Sequence, residues 1–134
     1  MQIAVLGGTI AIVFLALDFL MLRNIIEPYF RERLGDHLLD SIRTTPAVMF
    51  YLSYVAGVVW FAALPALREG GPGQAAVNGL LLGGLAYATY ELTNHATLAR
   101  WTWGMVALDL GWGAIVTGLS AAAGVLVTRA VFGQ

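Results

Sequence analysis

The chain has no cysteine and no lysine. Without cysteine there is no disulfide and no thiolate metal site. All seven basic residues are arginine, set against eight acids. The resulting formal charge of -1 leaves no basic footprint for nucleic acid. Charge of either sign is scarce, at 11% of residues, where soluble domains carry roughly 25%. Hydrophobic residues make up 59% of the 134, and mean hydropathy is +0.77. That balance excludes an ordinary soluble domain. It predicts an integral membrane protein, a single membrane domain at this length.

Four runs are long enough for a hydrocarbon core of roughly 30 Å: residues 3–22, 45–67, 75–98 and 103–127. A signal peptide fits the first poorly, because no basic stretch precedes it and Asp18 lies within it. Short connections between the runs predict an all-α, four-transmembrane-helix up-down bundle. Residues 23–44 are the one long polar segment. Pro28 is expected to break it near its start. Beyond Pro28, Phe30, Leu34, Leu38 and Ile42 recur every four residues, with Arg31, Arg33, Asp36, His37 and Asp40 on other faces. An amphipathic connector lying at the interface is expected there, weakened by Gly35. A plain connector is its first reading, a lid or lipid sensor its second. Gly7 with Ala11, and Gly79 with Gly83, are small-residue pairs that admit a close neighbour. The second pair offers a face for an oligomer or another membrane protein, and membrane lipids surround the rest.

Arginine is unevenly placed. Arg23, Arg31, Arg33, Arg43 and Arg100 fall at the connector end of the four runs, Arg68 and Arg129 at the other. The positive-inside rule then puts both connectors in the cytoplasm and both termini outside.

Three acids lie inside apolar runs: Asp18, Glu91 and Asp109. With a rise of about 1.5 Å per residue, all three fall roughly 6–11 Å below the connector end of their helices. Tyr51, Tyr54, Asn94, His95 and Trp112 share that band. Glu91, Asn94 and His95 stand at i, i+3 and i+4, one helix face, and Tyr87 extends it by a turn. An intramembrane carboxylate costs roughly 2.5–3.5 kcal/mol at a helix centre, so the acids should face inward. Two within about 4–6 Å cannot both stay charged cheaply and should share a proton. Tyrosine and tryptophan make suitable walls, apolar in the ring and polar at the tip.

The acids could serve only as interhelical hydrogen-bonding groups that hold the bundle together. His95 could join Glu91 and an aspartate as a metal ligand, but one interfacial histidine is more often a plain hydrogen-bonding residue, and no metal is expected. His37 lies in the connector, which argues against a bis-histidine haem, and no cofactor is expected. With no cysteine and no serine in a nucleophile elbow, nucleophilic catalysis has little support, and a membrane enzyme is a third reading with no motif behind it.

The stretches Phe50-Tyr-Leu-Ser-Tyr-Val-Ala-Gly57, Ala88-Thr-Tyr-Glu-Leu-Thr-Asn94, Ala96-Thr-Leu98 and Asp109-Leu-Gly-Trp-Gly113 together carry a resemblance. So do Leu17-Asp18 and Tyr29-Phe-Arg-Glu-Arg-Leu-Gly35. Over nearly its whole length the chain resembles a family of small bacterial four-helix membrane proteins, the domain of unknown function 2177. The resemblance implies Asp18, Tyr90, Glu91, Thr93, Asn94, Asp109 and Trp112 as signature positions. The chain departs from the pattern at Glu91, where Asp is usual, and at Met21, where Trp is usual. His95 stands where the family has an apolar residue or Tyr, which argues against an essential ligand. The resemblance brings a topology but no activity.

The reading is a small membrane protein with a carboxylate-rich site that binds a proton, a cation or a small amphiphile. Glu91 and Asp109 would be the titrating pair, Asp18 the third acid, Asn94 and Trp112 the orienting partners. Tyr51, Tyr54, Tyr87 and Tyr90 would be wall residues. The alternative is a structural or assembly subunit of a larger membrane complex.

Overall fold

The computed structural model describes residues 1–133. They form helices and short connections, with no strand among the described residues. The first helix is longer than the expected span. Its α1 (Gln2–Met21) continues through a π-helical stretch, Leu22–Ile26, into α2 (Glu27–Leu34) and a 3-10 turn at Gly35–His37. Next come α3 (Thr44–Gly57), a second π-helical stretch at Val58–Ala63 and α4 (Leu64–Glu69), again one continuous run. The remaining helices are α5 (Pro72–Thr97) and α6 (Trp103–Phe132).

Neither Pro28 nor Pro65 ends a helix, and for Pro28 this corrects the expected break. Proline has no N–H and its ring presses on the carbonyl four residues back. For Pro28 that residue is Asn24 and for Pro65 it is Phe61, and each lies inside a π-helical stretch. The wider turn makes room for the ring, so the helix passes through. Residues 23–34 are thus a continuation of the first helix, not a separate interfacial segment. The expected amphipathic stripe stops early as well. Phe30 and Leu34 are buried, but Ile42 is 79% exposed. Gly35 ends α2 at φ 55°, a backbone open to glycine and strained for other residues.

The stripe runs the other way instead. Leu6, Ile10, Phe14, Asp18, Ile26, Phe30 and Leu34 are all buried, and Leu22 between them is half-buried. Strict four-residue spacing on a helix of 3.6 residues per turn drifts about 40° per step. The widened turn at Leu22–Ile26 takes back part of that drift. Asp18 therefore stands in line with the side chains that face α6.

α6 is the most enclosed helix, and α1 and α5 pack along it. Both run antiparallel to it. Gly124 of α6 meets Leu6 and Ile10 of α1, while Trp112 meets Asp18. Against α5 the approach is closer. A Cβ on Gly79 would stand 2.7 Å from the Cα of Gly118 and 2.7 Å from the carbonyl of Thr117. A Cβ on Gly83 would collide with the Gly113 carbonyl. Van der Waals contact of this kind replaces the hydrophobic drive that lipid does not supply. The Gly79–Gly83 face, expected to be open to an oligomer, is covered by α6 of the same chain.

Hydroxyls inside α6 are satisfied locally. Thr117, Ser120 and Thr128 donate to the carbonyls four residues back at 2.6, 2.7 and 2.7 Å. That suits a segment with no water to bond. Three helical runs are long and apolar enough to cross a membrane: Gln2–His37, Thr44–Glu69 and Trp103–Phe132. The expected fourth span, α5, has the length, at 26 residues. It is less apolar, because Gln74, Asn78 and the polar run from Tyr87 to His95 dilute it.

Candidate functional site

Asp18 sits on the inner stripe of α1 and is only 5% exposed. Its two oxygens are taken by two other helices. The Tyr51 hydroxyl, from α3, donates to Oδ2 at 2.6 Å, and the Trp112 indole, from α6, donates to Oδ1 at 3.0 Å. Asp18 thus ties three helices together. Trp112 was expected beside Glu91 and Asp109, and the structure places it on Asp18 instead.

Glu91, on α5, is fully buried at 0% exposure. The Trp101 indole donates to its Oε1 at 2.8 Å. Its Oε2 is buried and receives no hydrogen bond from any ordinary donor among the described residues. Asp109 of α6 neighbours Glu91. Two carboxylates cannot hydrogen-bond without a proton, and one held between them would satisfy the orphaned oxygen.

Trp101 is the residue that sequence reasoning missed. It lies in the connector after α5 and reads there as an interfacial aromatic. In the fold it is buried, with its ring edge-on to Phe30 at 5.4 Å and to Tyr90 at 6.0 Å. A buried indole needs an acceptor, and Glu91 supplies it; the burial itself was not legible from a place in a connector. Arg100 beside it donates to the Leu34 carbonyl at 3.1 Å, which fixes the connector to the end of α2.

Asp18 and Asp109 line one cavity of ≈ 470 Å³, with Tyr51, Tyr54, Tyr87 and Tyr90. Phe50, Leu22 and Ala86 complete the lining. Every one of the four long helical runs contributes to it. Its rings are mutually braced: Phe50 stacks on Tyr54 with centroids 5.3 Å apart, and Tyr87 meets Tyr54 edge-on at 6.0 Å. Tyr54 hydrogen-bonds to the Thr117 hydroxyl at 2.7 Å. Tyr87 lies flat over Gly113, where a Cβ would run into its ring. No arginine or histidine lines the cavity.

Asn94 and His95 do not join this group. Asn94 is half-buried near the Tyr90 hydroxyl and donates to none of the three acids. The His95 ring nitrogen Nδ1 is 3.2 Å from the Trp101 carbonyl, and the ring meets Trp103 edge-on at 4.5 Å. The candidate metal set of Glu91, His95 and an aspartate does not assemble. Among the described residues, no three His, Asp or Glu side chains gather with metal-binding geometry.

A sequence model of the family described as predicted membrane protein (DUF2177) matches residues 3–126. The chain belongs to this family. The match covers every helix that lines the cavity and ends within α6, and it shows a membrane protein without assigning an activity. No curated protein and no solved structure matches the chain.

Proposed function

We propose that the protein is a four-span membrane bundle whose carboxylate site holds an exchangeable proton and binds a cation or small cationic amphiphile. The observation that carries this reading is Glu91. It is fully buried, one of its oxygens has no ordinary donor, and Asp109 neighbours it. A group so placed is costly in a bilayer unless it holds a proton or meets a cation. Asp109 opens on the cavity and connects the buried pair to whatever enters. Asp18 is the anchored acid, already engaged by Tyr51 and Trp112, and adds negative potential to the same space.

α5 is read as the fourth span because it lies against α6 along its length and would carry Leu80, Leu81 and Leu85 on its outer face. With four spans, the cavity sits toward the connector end. The arginine distribution supports the reading that this end faces the cytoplasm, with the protein in a bacterial inner membrane.

The test is proton release. A cation that enters beside Asp109 displaces the shared proton, so weakly buffered detergent solution should acidify stoichiometrically when the cation is added. Glu91→Gln and Asp109→Asn should each abolish the release while the helical circular dichroism is unchanged. Release that persists in both variants would remove the pair from the mechanism.

A further inference from the structure

The cavity has a neighbour. A second, apolar hollow of ≈ 440 Å³ lies between α1 and the α3–α4 run, and Tyr51 lines both. It follows α1 from Leu15 through Ala11 and Gly7 to Ile3, and its far wall is Val55, Val59 and Leu64. The twelve helical rises from Ile3 to Leu15 make it about 18 Å long. Gly7 and Ala11, expected to bring a helix into close contact, instead floor a groove. A Cβ added to Gly7 would reach only ordinary contact with Val59, at 3.8 Å. One end of this groove lies at the level of Asp18, where Tyr51 bonds that carboxylate. The other reaches the far end of the helices.

The two spaces differ in chemistry. The first is lined by the rings of Phe50, Tyr54, Tyr87 and Tyr90 and by two carboxylates. Aromatic faces with nearby negative charge are what recognises an ammonium that carries its own hydrocarbon. The second contains no charged residue. Neither lining includes an arginine, so nothing there would neutralise a phosphate.

We propose that the site takes a long-chain alkylammonium ion, its ammonium in the aromatic cavity beside Asp18 and Asp109 and its alkyl chain in the α1–α3 groove. This rests on the cation-binding reading above and narrows it. Tyr51 is the hinge between head and tail, held by its bond to Asp18. The absence of a cationic lining residue excludes phosphate-bearing zwitterions of the same tail length. The ammonium replaces the charge of the shared proton, and no covalent step is involved.

The experiment uses the full chain in a neutral maltoside detergent, titrated calorimetrically against protein-free micelles. The probes are tetradecyltrimethylammonium, tetramethylammonium and a lysophosphatidylcholine of equal tail length. The long-chain ammonium should bind one per protein, and more tightly than the other two. Asp109→Asn should weaken it by about tenfold or more, as loss of a nearby charge in a partly desolvated site would. Phe50→Leu, at a half-exposed ring whose loss leaves the hydrogen bonds in place, should weaken it about threefold. Gly7→Leu with Ala11→Leu fills the groove, and should remove the advantage of the long chain without changing tetramethylammonium binding. Equal binding of the lysolipid, or an unchanged long-chain advantage in the filled variant, would overturn the proposal. Failure of every ammonium to bind, with sodium still releasing a proton that depends on Glu91, would end the alkylammonium assignment and leave the proton site standing.

Discussion

Replacing Trp101 with phenylalanine isolates one bond. The indole donates to Glu91 Oε1 at 2.8 Å, and its ring packs on Phe30 and Tyr90. Phenylalanine keeps most of that packing and loses the N–H. Glu91 is then left fully buried with no indole on either oxygen. A buried polar group stripped of its partner costs about 1–3 kcal/mol, from about fivefold to about 150-fold in the unfolding equilibrium. Glu91→Gln should behave differently. Its amide oxygen still accepts from Trp101 and its NH₂ can donate to Asp109, so it mimics the protonated acid and should cost under about 1 kcal/mol. Reversible unfolding in mixed micelles, followed by circular dichroism, gives both values. A cycle built with Glu91→Ala should show a coupling between positions 91 and 101 of at least about 1 kcal/mol. A Trp101→Phe protein within about 0.5 kcal/mol of the parent would refute the reasoning, since that is the scatter of a silent surface change.

Tyr51→Phe and Trp112→Phe each remove one of the two donors to Asp18. Each should lower stability by about 1–3 kcal/mol, and the pair together by more than their sum, read from thermal unfolding. Gly113→Ala drives a Cβ into the Tyr87 ring and should destabilise by about 1–3 kcal/mol. Gly84→Ala, whose Cβ would rest 3.8 Å from Ala114, should stay within about 0.5 kcal/mol by the same unfolding assay. Gly35→Ala meets a positive φ of 55° and should cost about 1 kcal/mol or more. Faster proteolysis between α2 and α3 would report it.

The common depth of the three acids of the candidate site could be read along the chain. Counting residues from the connector end put Asp18, Glu91 and Asp109 in one band, and the fold brings Asp18 and Asp109 to one cavity with Glu91 behind them. Pairing was less legible than depth. Trp112 and Trp101 are both indoles near acids, and nothing in their spacing says which acid each one meets. That depends on how α6 is rotated and on a connector folding back. The continuation of the first helix was present in the sequence as a four-residue recurrence from Leu6 to Leu34. Arg23 and Pro28 read as punctuation because an α-helix cannot hold that proline without help, and a π-helical turn supplies it. Gly79 and Gly83 announced a close approach. A small-residue pair marks that a helix comes near, not which helix, and here it is α6 of the same chain.

The central claim is a proton held between Glu91 and Asp109, and infrared spectroscopy sees it directly. At neutral pH the protein in detergent should show the C=O stretch of a protonated carboxylic acid in a water-poor site, slow to shift on exchange into D₂O. Glu91→Gln and Asp109→Asn should each remove that band, and a bound cation should bleach it in the parent protein. A spectrum with only ionised carboxylate bands at neutral pH, and none lost in either variant, would contradict the account.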